Sequence, residues 1–414
     1  MKKVLMICQN YYPEIGSAAN RMKNIHVRLK ERGYDVTVLT SEPSYPNRNL
    51  YKNKEFWNEE ISEEDVIRVQ TKTRKYTRNM LNRLLLYLEV TFKFILAILK
   101  MNKEYDVVFV SSPPIFSGIA GIIAKKKLEA KLILDIRDLW PESLLGVGVF
   151  TNKYIIRVAS WLERYLYRKA DKIIINSEYF GAHITSNGVS KEKISFMPNS
   201  LTQEEIAYST EGKDSRNEKI SIVYTGNIGL AQDVLKLIAV AEKLKDRTNI
   251  TFKIIGYGVH TKEVKRLIAE KRLINIELLS AKTRKETLKA VVSADIAYVS
   301  LVKKDVFEKV LPGKLIDYMG MKKPIIGDVS GYAAKVIKEA NCGIIATENS
   351  IDEICDNILT LSENVQLRNE MGGNGYRYTL QRWIWKKNID VLTDLMEEID
   401  EEQSLHVCVE PLHK

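Results

Sequence analysis

Along the first 200 residues, short apolar runs alternate with stretches of helical period. The runs are Lys3–Cys8, Tyr34–Thr40, Val66–Gln70, Asp106–Ser111, Lys131–Asp135, Lys172–Asn176 and Ile194–Met197. Most are continuously apolar rather than alternating, the pattern of parallel strands covered on both faces. Between the first two, Ala18, Met22, Ile25 and Leu29 share one helical face that Gly33 closes, which predicts a βαβ unit. The stretch LTQEEIAYSTEGKDSRNEK, residues 201–219, has no apolar periodicity and reads as a connection between domains.

The pattern then restarts. Strands are expected at Ile220–Tyr224, Ile250–Ile255, Ile274–Leu279, Ile296–Leu301, Pro324–Ile326 and Gly343–Ala346. Helices are expected between them at Val234–Lys245, Lys262–Glu270, Lys285–Ser293 and Lys314–Met319. From Gln381 to Glu402 a single long helix is expected. The fold class is therefore α/β, with two doubly wound units at 1–200 and 220–380 and a helix and tail at 381–414. Ligands of such sheets sit beyond the carboxyl ends of the strands, so the residues following each strand are where function is sought.

The length of 414 residues agrees with two domains. A net charge of +10 points to anionic partners, but the positive charge is dispersed and no nucleic-acid-binding motif accompanies it. Cys8, Cys342, Cys355 and Cys408 lack CxxC spacing and read as isolated reduced thiols. Met1-Lys2-Lys3 leads directly into a strand, so no signal peptide is expected and the chain is read as cytoplasmic. His26, His183, His260, His406 and His413 have no metal-ligand spacing and there is no DxD, so no metal cofactor is expected.

Three strand-end motifs carry candidate chemistry. IVYTGNIGLAQDV (Ile222–Val234) is a strand, a glycine loop and a helix start, suited to an anion. It is neither GxGxxG nor GxxxxGK[ST], and taken alone it is equally a tight βα turn. PEIGSAANRM (Pro13–Met22) makes a similar loop in the first unit, where Gly16 and Ser17 leave room and Asn20 and Arg21 add a donor and a charge. In FEKVLPGKLIDYMGMKKPIIG (Phe307–Gly327), Pro312 and Gly313 open a helix beside Lys314, with Asp317 one turn on. A helix start with lysine suits a diphosphate, and a nearby carboxylate suits ribose. The alternative is a surface helix with an ordinary Lys–Asp pair.

These motifs, with DIRDLWPES, PNS and IIGYG in the same chain order, resemble the family-4 retaining glycosyltransferases of the GT-B fold. The nearest branch is that of bacterial surface-polysaccharide transferases, including the N-acetylfucosamine transferase of O-antigen assembly. The resemblance covers nearly the whole chain. It implies two Rossmann-like domains facing across a cleft, a UDP-sugar donor held by the second and a saccharide acceptor held by the first. By it, Gly226, Asn227 and Gly229 cradle the diphosphate, assisted by Lys314 and the backbone of Gly313, Lys314 and Leu315. Gly256, Tyr257 and Lys282, at the next strand ends, belong with the donor site. Asp317 stands at the second acid of the family's E-x7-E and would hold ribose, whereas Lys309 occupies the first acid's position. The resemblance also implies that the last helix crosses back to the first domain.

DIRDLWPES raises its own question, because burying an unpaired charge at a strand end is costly. Asp138, beyond the strand, is expected in the cleft as a carboxylate assisting transfer, with Asp135 as the other catalytic candidate. The alternative is a structural ion cluster of Asp135, Arg137 and Asp138. Trp140 would form a sugar-facing wall or cap the core, and Arg137 and Glu142 complete the acceptor-side set. Two other functions fit the same scaffold: a UDP-sugar epimerase and a non-catalytic nucleotide-sugar-binding protein.

The segment RKYTRNMLNRLLLYLEVTFKFILAILKMNK (74–103) favours the transferase. Its apolar run is too short and too charged to span a bilayer, yet seven basic residues face one acid, Glu89. It is expected to dock on anionic lipid at the inner membrane face, where a lipid-linked acceptor is met. Leu84, Leu88 and Ile95 are expected to pack inward. The alternative is a core helix with a solvated basic end.

Overall fold

The computed structural model describes residues 1–58, 61–72, 80–148, 152–210, 219–347 and 350–409. In the first domain seven parallel strands form one sheet: β1 (Lys3–Ile7), β2 (Asp35–Ser41), β3 (Val66–Val69), β4 (Val107–Ser112), β5 (Lys131–Ile136), β6 (Lys172–Ile175) and β7 (Ile194–Phe196). Their order is β3-β2-β1-β4-β5-β6-β7. Leu5 of β1 stands opposite Thr37 on one side and Val108 on the other. All six residues of β4 are buried, as its unbroken apolar run requires with helices on both faces.

The second sheet has six parallel strands: β8 (Ile220–Asn227), β9 (Ile250–Tyr257), β10 (Ile276–Leu279), β11 (Ile296–Ser300), β12 (Ile325–Asp328) and β13 (Gly343–Ile345). Their order is β10-β9-β8-β11-β12-β13. In each sheet the order of winding reverses beside the first strand, between β1 and β4 and between β8 and β11, so the loops after β1 and β8 flank the switch points where ligands of such sheets bind.

Two expectations about the connections need correction. Residues 201–210 are not a plain loop: Gln203–Ala207 is a short helix nucleated by a capping box between Thr202 and Glu205. Nor is the chain end one long helix. The helix Val365–Arg382 stops at Trp383, and a short turn, Trp385–Asn388, leads into Asp390–Val409. The break is fixed by a bridge of Leu201 with Ile384 and by burial of Trp383 and Trp385. Beyond it, Trp385, Ile389, Leu392, Met396 and Ile399 share one apolar cluster with Val4, Met6, Met22 and Val38 of the first domain. The final helix thus closes a core begun by the first strand.

Candidate active site at the interdomain cleft

The donor-side motif begins inside a strand rather than after it. β8 runs on to Asn227, and Gly226 has φ +111°, a conformation that a side chain would strain. A Cβ at Gly256 would meet the Gly226 carbonyl oxygen at 1.9 Å, so the ends of β8 and β9 touch backbone to backbone. A Cβ at Gly226 would instead face Lys314 Nζ, 3.7 Å away. Lys314 belongs to the helix Gly313–Gly320, where the Leu315 amide bonds the Pro312 carbonyl at 2.9 Å and the amides of Gly313 and Lys314 open the helix. Its Nζ is buried without a hydrogen-bond partner and lies 3.6 Å from the centroid of the Tyr224 ring. Burial lowers the Lys314 pKa to about 7, against a smaller opposing pull from Asp317. A buried amine above a glycine opening at a helix start is a site for an anion.

The first domain supplies the facing wall. A Cβ at Gly313 would stand 2.9 Å from Ser17 Oγ, which accepts a bond from Asn199 Nδ2 at 3.0 Å. Gly16, with φ +119°, sets the turn that presents Ser17. Gly226, Lys314, Gly313, Ser17 and Asn199 therefore surround one end of the cleft. Asn20 follows Ser17 in the first turn of the helix Ser17–Glu31, and its side chain bonds Asn24.

Other expected site residues lie elsewhere. Arg21 and Asp135 form a salt bridge of 2.7 Å, both side chains fully buried, and Ser111 donates to the same carboxylate. Arg137 is spent on Ser111 Oγ and the Pro113 carbonyl. Asp135, Arg21 and Arg137 thus form a buried ion cluster under the cleft, with the Asp135 carboxylate paired and sealed from solvent rather than open to the cleft. Arg21 still reaches toward the wall, with Nη1 3.4 Å from Asn199 Oδ1.

Asp138 is part-exposed beyond the end of β5. It lines a cavity of ≈ 10 Å³, room for about one water, with Ser112, Trp140, Glu163 and Tyr167, every lining residue belonging to the first domain. Burial raises the Asp138 pKa to about 6, which Ser143 and then Arg137 partly offset. Trp140 meets Phe116 edge-on and packs against the core, as the capping reading expects. Glu142 does face the second domain: its Oε2 lies 3.3 Å from Lys309 Nζ and its Oε1 3.1 Å from His183 Nδ1.

On the donor side, both Asp317 oxygens accept from Arg284 at 2.7 Å, and Arg284 Nε also donates to Glu205. Leu315 is fully buried, and its amide is taken by the Pro312 carbonyl at 2.9 Å, so the backbone expected to assist narrows to Gly313 and Lys314. Tyr257 is exposed at the end of β9, Gly229 is closed over by the Asn227 side chain, and Lys282 lies 3.6 Å from Glu286.

Sequence reasoning missed Tyr224, Arg284 and His183. Tyr224 lay within the quoted motif but read as strand filler. Arg284 sits one residue after the cap of its helix, Thr283, with nothing local to mark it as a partner of Asp317. His183 and Glu142 are 41 positions apart and meet only through the fold.

The fold and this cleft define a class: two Rossmann-like domains in the GT-B arrangement of glycosyltransferases. Residues 16–200 match the Glycosyl transferase 4-like domain, and residues 209–378 match Glycosyl transferases group 1. The chain is a glycosyltransferase built from these two domains. It is 22% identical over 332 residues to a putative colanic acid biosynthesis glycosyl transferase of Escherichia coli, spanning 77% of this chain and 81% of the relative. Among solved structures it is similar to sucrose-phosphate synthase from Thermosynechococcus elongatus, with a TM-score of 0.77 at 14% identity over 97% of this chain and 100% of the other. It is also similar to HepE of Anabaena in complex with UDP-glucose, with a TM-score of 0.70 at 14% identity over 96% of this chain and 100% of that one.

Proposed function

We propose that the protein is a retaining transferase that moves a sugar from a UDP-sugar to a lipid-linked saccharide during surface-polysaccharide synthesis. The observation that carries the donor assignment is the buried, unpartnered Lys314 Nζ facing Gly226. A buried amine without a partner is costly, and a diphosphate would supply the missing acceptors. Lys314 and the amides at Gly313 and Lys314 would carry the charge of the departing diphosphate, the step where stabilisation counts most. Gly226 would let the phosphates approach the end of β8, with Tyr257 in register with Asn227 at the end of β9 and Lys282 following β10, the next strand of the sheet. Asp317, with Arg284 across it, would meet ribose through its remaining lone pairs. UDP-bound HepE and the polysaccharide role named for the Escherichia coli relative support the reading. Thermal stabilisation across a panel of UDP-sugars tests it, since a ligand of the folded state raises its apparent stability.

The acceptor's lipid would be met at an anionic membrane surface. No described helix is long and apolar enough to cross a membrane. Arg74, Lys75 and Arg78 lie outside the described residues. The helix Met80–Leu99 buries Leu86, Val90, Phe94 and Ile98 and exposes Leu85, Leu88, Phe92, Leu96 and Leu99, so Leu88 faces outward rather than inward as expected. The helix Lys153–Lys169 exposes Tyr154, Ile155, Val158 and Trp161 on one stripe. Its five basic residues accompany one acid, Glu163, which is buried. The helix Ile115–Lys127 packs against both and ends in three lysines. Two apolar stripes set among basic residues suit insertion among anionic headgroups.

A further inference from the structure

The loop ahead of the donor helix is tied to the first domain by a line of charge. Lys309 Nζ lies 3.3 Å from Glu142, whose other oxygen is 3.1 Å from His183 Nδ1. His183 Nε2 is 3.0 Å from Glu163 Oε1, to which Tyr167 donates at 2.8 Å. Both imidazole nitrogens face carboxylate oxygens, an arrangement that a doubly protonated ring satisfies. Ser177 Oγ donates to the Lys309 carbonyl, a second tie from the first domain to the same residue. Around this line the surfaces are fitted. A Cβ at Gly146 would stand 2.5 Å from Val306 Cγ1, and Tyr179 stacks on Tyr332 with ring centroids 4.7 Å apart. Lys335 lies 5.7 Å from the Tyr179 ring, Glu178 borders Tyr332, and Asp138 shares its cavity with Glu163.

We propose that Glu142, held in place by His183, is a positioning residue: it grips Lys309 and so fixes the loop 309–312 and the start of the Lys314 helix against the first domain. Its consequence for nucleotide binding rests on the donor reading above, whereas the grip itself does not. The ionisation states agree with the geometry. His183 is disfavoured as a cation by burial, but its bonds to Glu142 and Glu163 outweigh this and lift its pKa to about 9. Glu142 is lowered to about 2, chiefly by His183, with Lys309 assisting. A raised histidine contributes fully below its ordinary 6.5 and loses its contribution as pH rises through about 9. The grip therefore loosens in alkali.

The test is a double-mutant cycle on the full chain, with Glu142→Gln, Lys309→Met and the pair together. Spin labels at Lys127→Cys and Lys262→Cys, in a Cys408→Ser background, report the distance between the domains without ligand, and calorimetry reports UDP affinity. Each single change is expected to lengthen or broaden the distance distribution and weaken UDP about fivefold, the scale of one partly exposed pair. The double change should be no worse than either single. Raising the pH from 7.5 to about 9.5 should lengthen or broaden the distances in the wild type as Glu142→Gln does, and change the distances little in that variant. Coupled distances in a chain that binds no UDP would support the grip and contradict the donor reading. Unchanged or simply additive distances would overturn the grip, and unchanged UDP affinity alongside altered distances would overturn the positioning role.

Discussion

Lys314 Nζ stands 3.6 Å from the centroid of the Tyr224 ring, held between an aromatic face and the open end of β8 at Gly226. The ring offers a cation only part of what water would, and burial brings the amine to about 7. Between about 7 and its ordinary 10.5 the unfolded chain keeps a proton that the folded chain releases, so this lysine makes ligand-free stability rise with pH over that window. A bound diphosphate reverses the preference. UDP binding at pH 8 is therefore expected to take up protons, which calorimetry in buffers of different ionisation enthalpy measures. Lys314→Met should abolish the uptake.

The Arg21–Asp135 pair predicts a different phenotype. Both side chains are fully buried, so removing one charge leaves the other stranded. Asp135→Asn should cost about 3 kcal/mol or more in denaturant unfolding of the first domain. A variant as stable as the parent would contradict the structural assignment.

Asp138 separates the two readings of the DIRDLWPES stretch. A group acting on the reacting centre would lose roughly 10²-fold in turnover when changed to Asn. A carboxyl lining a cavity within the first domain should leave turnover within a few-fold and UDP affinity unchanged. Its raised pKa means that ionisation opposes folding: its contribution is largest below about 3.8 and falls as pH rises through about 6. Asp138→Asn should therefore gain melting temperature relative to the parent at pH 7, and lose that advantage below pH 4.

The strand pattern of both sheets was legible because buried parallel strands announce themselves as unbroken apolar runs, as Val107–Ser112 does. The glycine loop and the Lys314 helix start were legible because both are local in sequence. The charged end of β5 was not. Whether Asp135 meets a substrate or Arg21 depends on a contact across 114 positions, and the partners of Glu142 come from two further segments. The capping box at Thr202 and Glu205 was a local signal that the polar composition of its surroundings concealed.

The exposed stripes of the helices Met80–Leu99 and Lys153–Lys169 predict binding to liposomes containing anionic lipid. Trp161→Glu with Val158→Glu should reduce flotation several-fold, and raising the salt should reduce it in the parent. Flotation that ignores both would contradict docking through this face.

Deleting the chain after Arg382 should expose the cluster of Val4, Met6, Met22 and Val38 that Ile389, Leu392 and Met396 cover. Aggregation or dye binding to exposed apolar surface is the expected readout, although no residue of the cleft is touched.

The most direct test of the donor site is a UDP titration by calorimetry of the wild type, Gly226→Val and Lys314→Met, each checked for a native fold. The account predicts measurable binding by the wild type, loss of roughly tenfold or more in Lys314→Met from a missing charge-assisted contact, and near-abolition in Gly226→Val, where the side chain fills the approach. UDP affinity equal to wild type in both folded variants would contradict it.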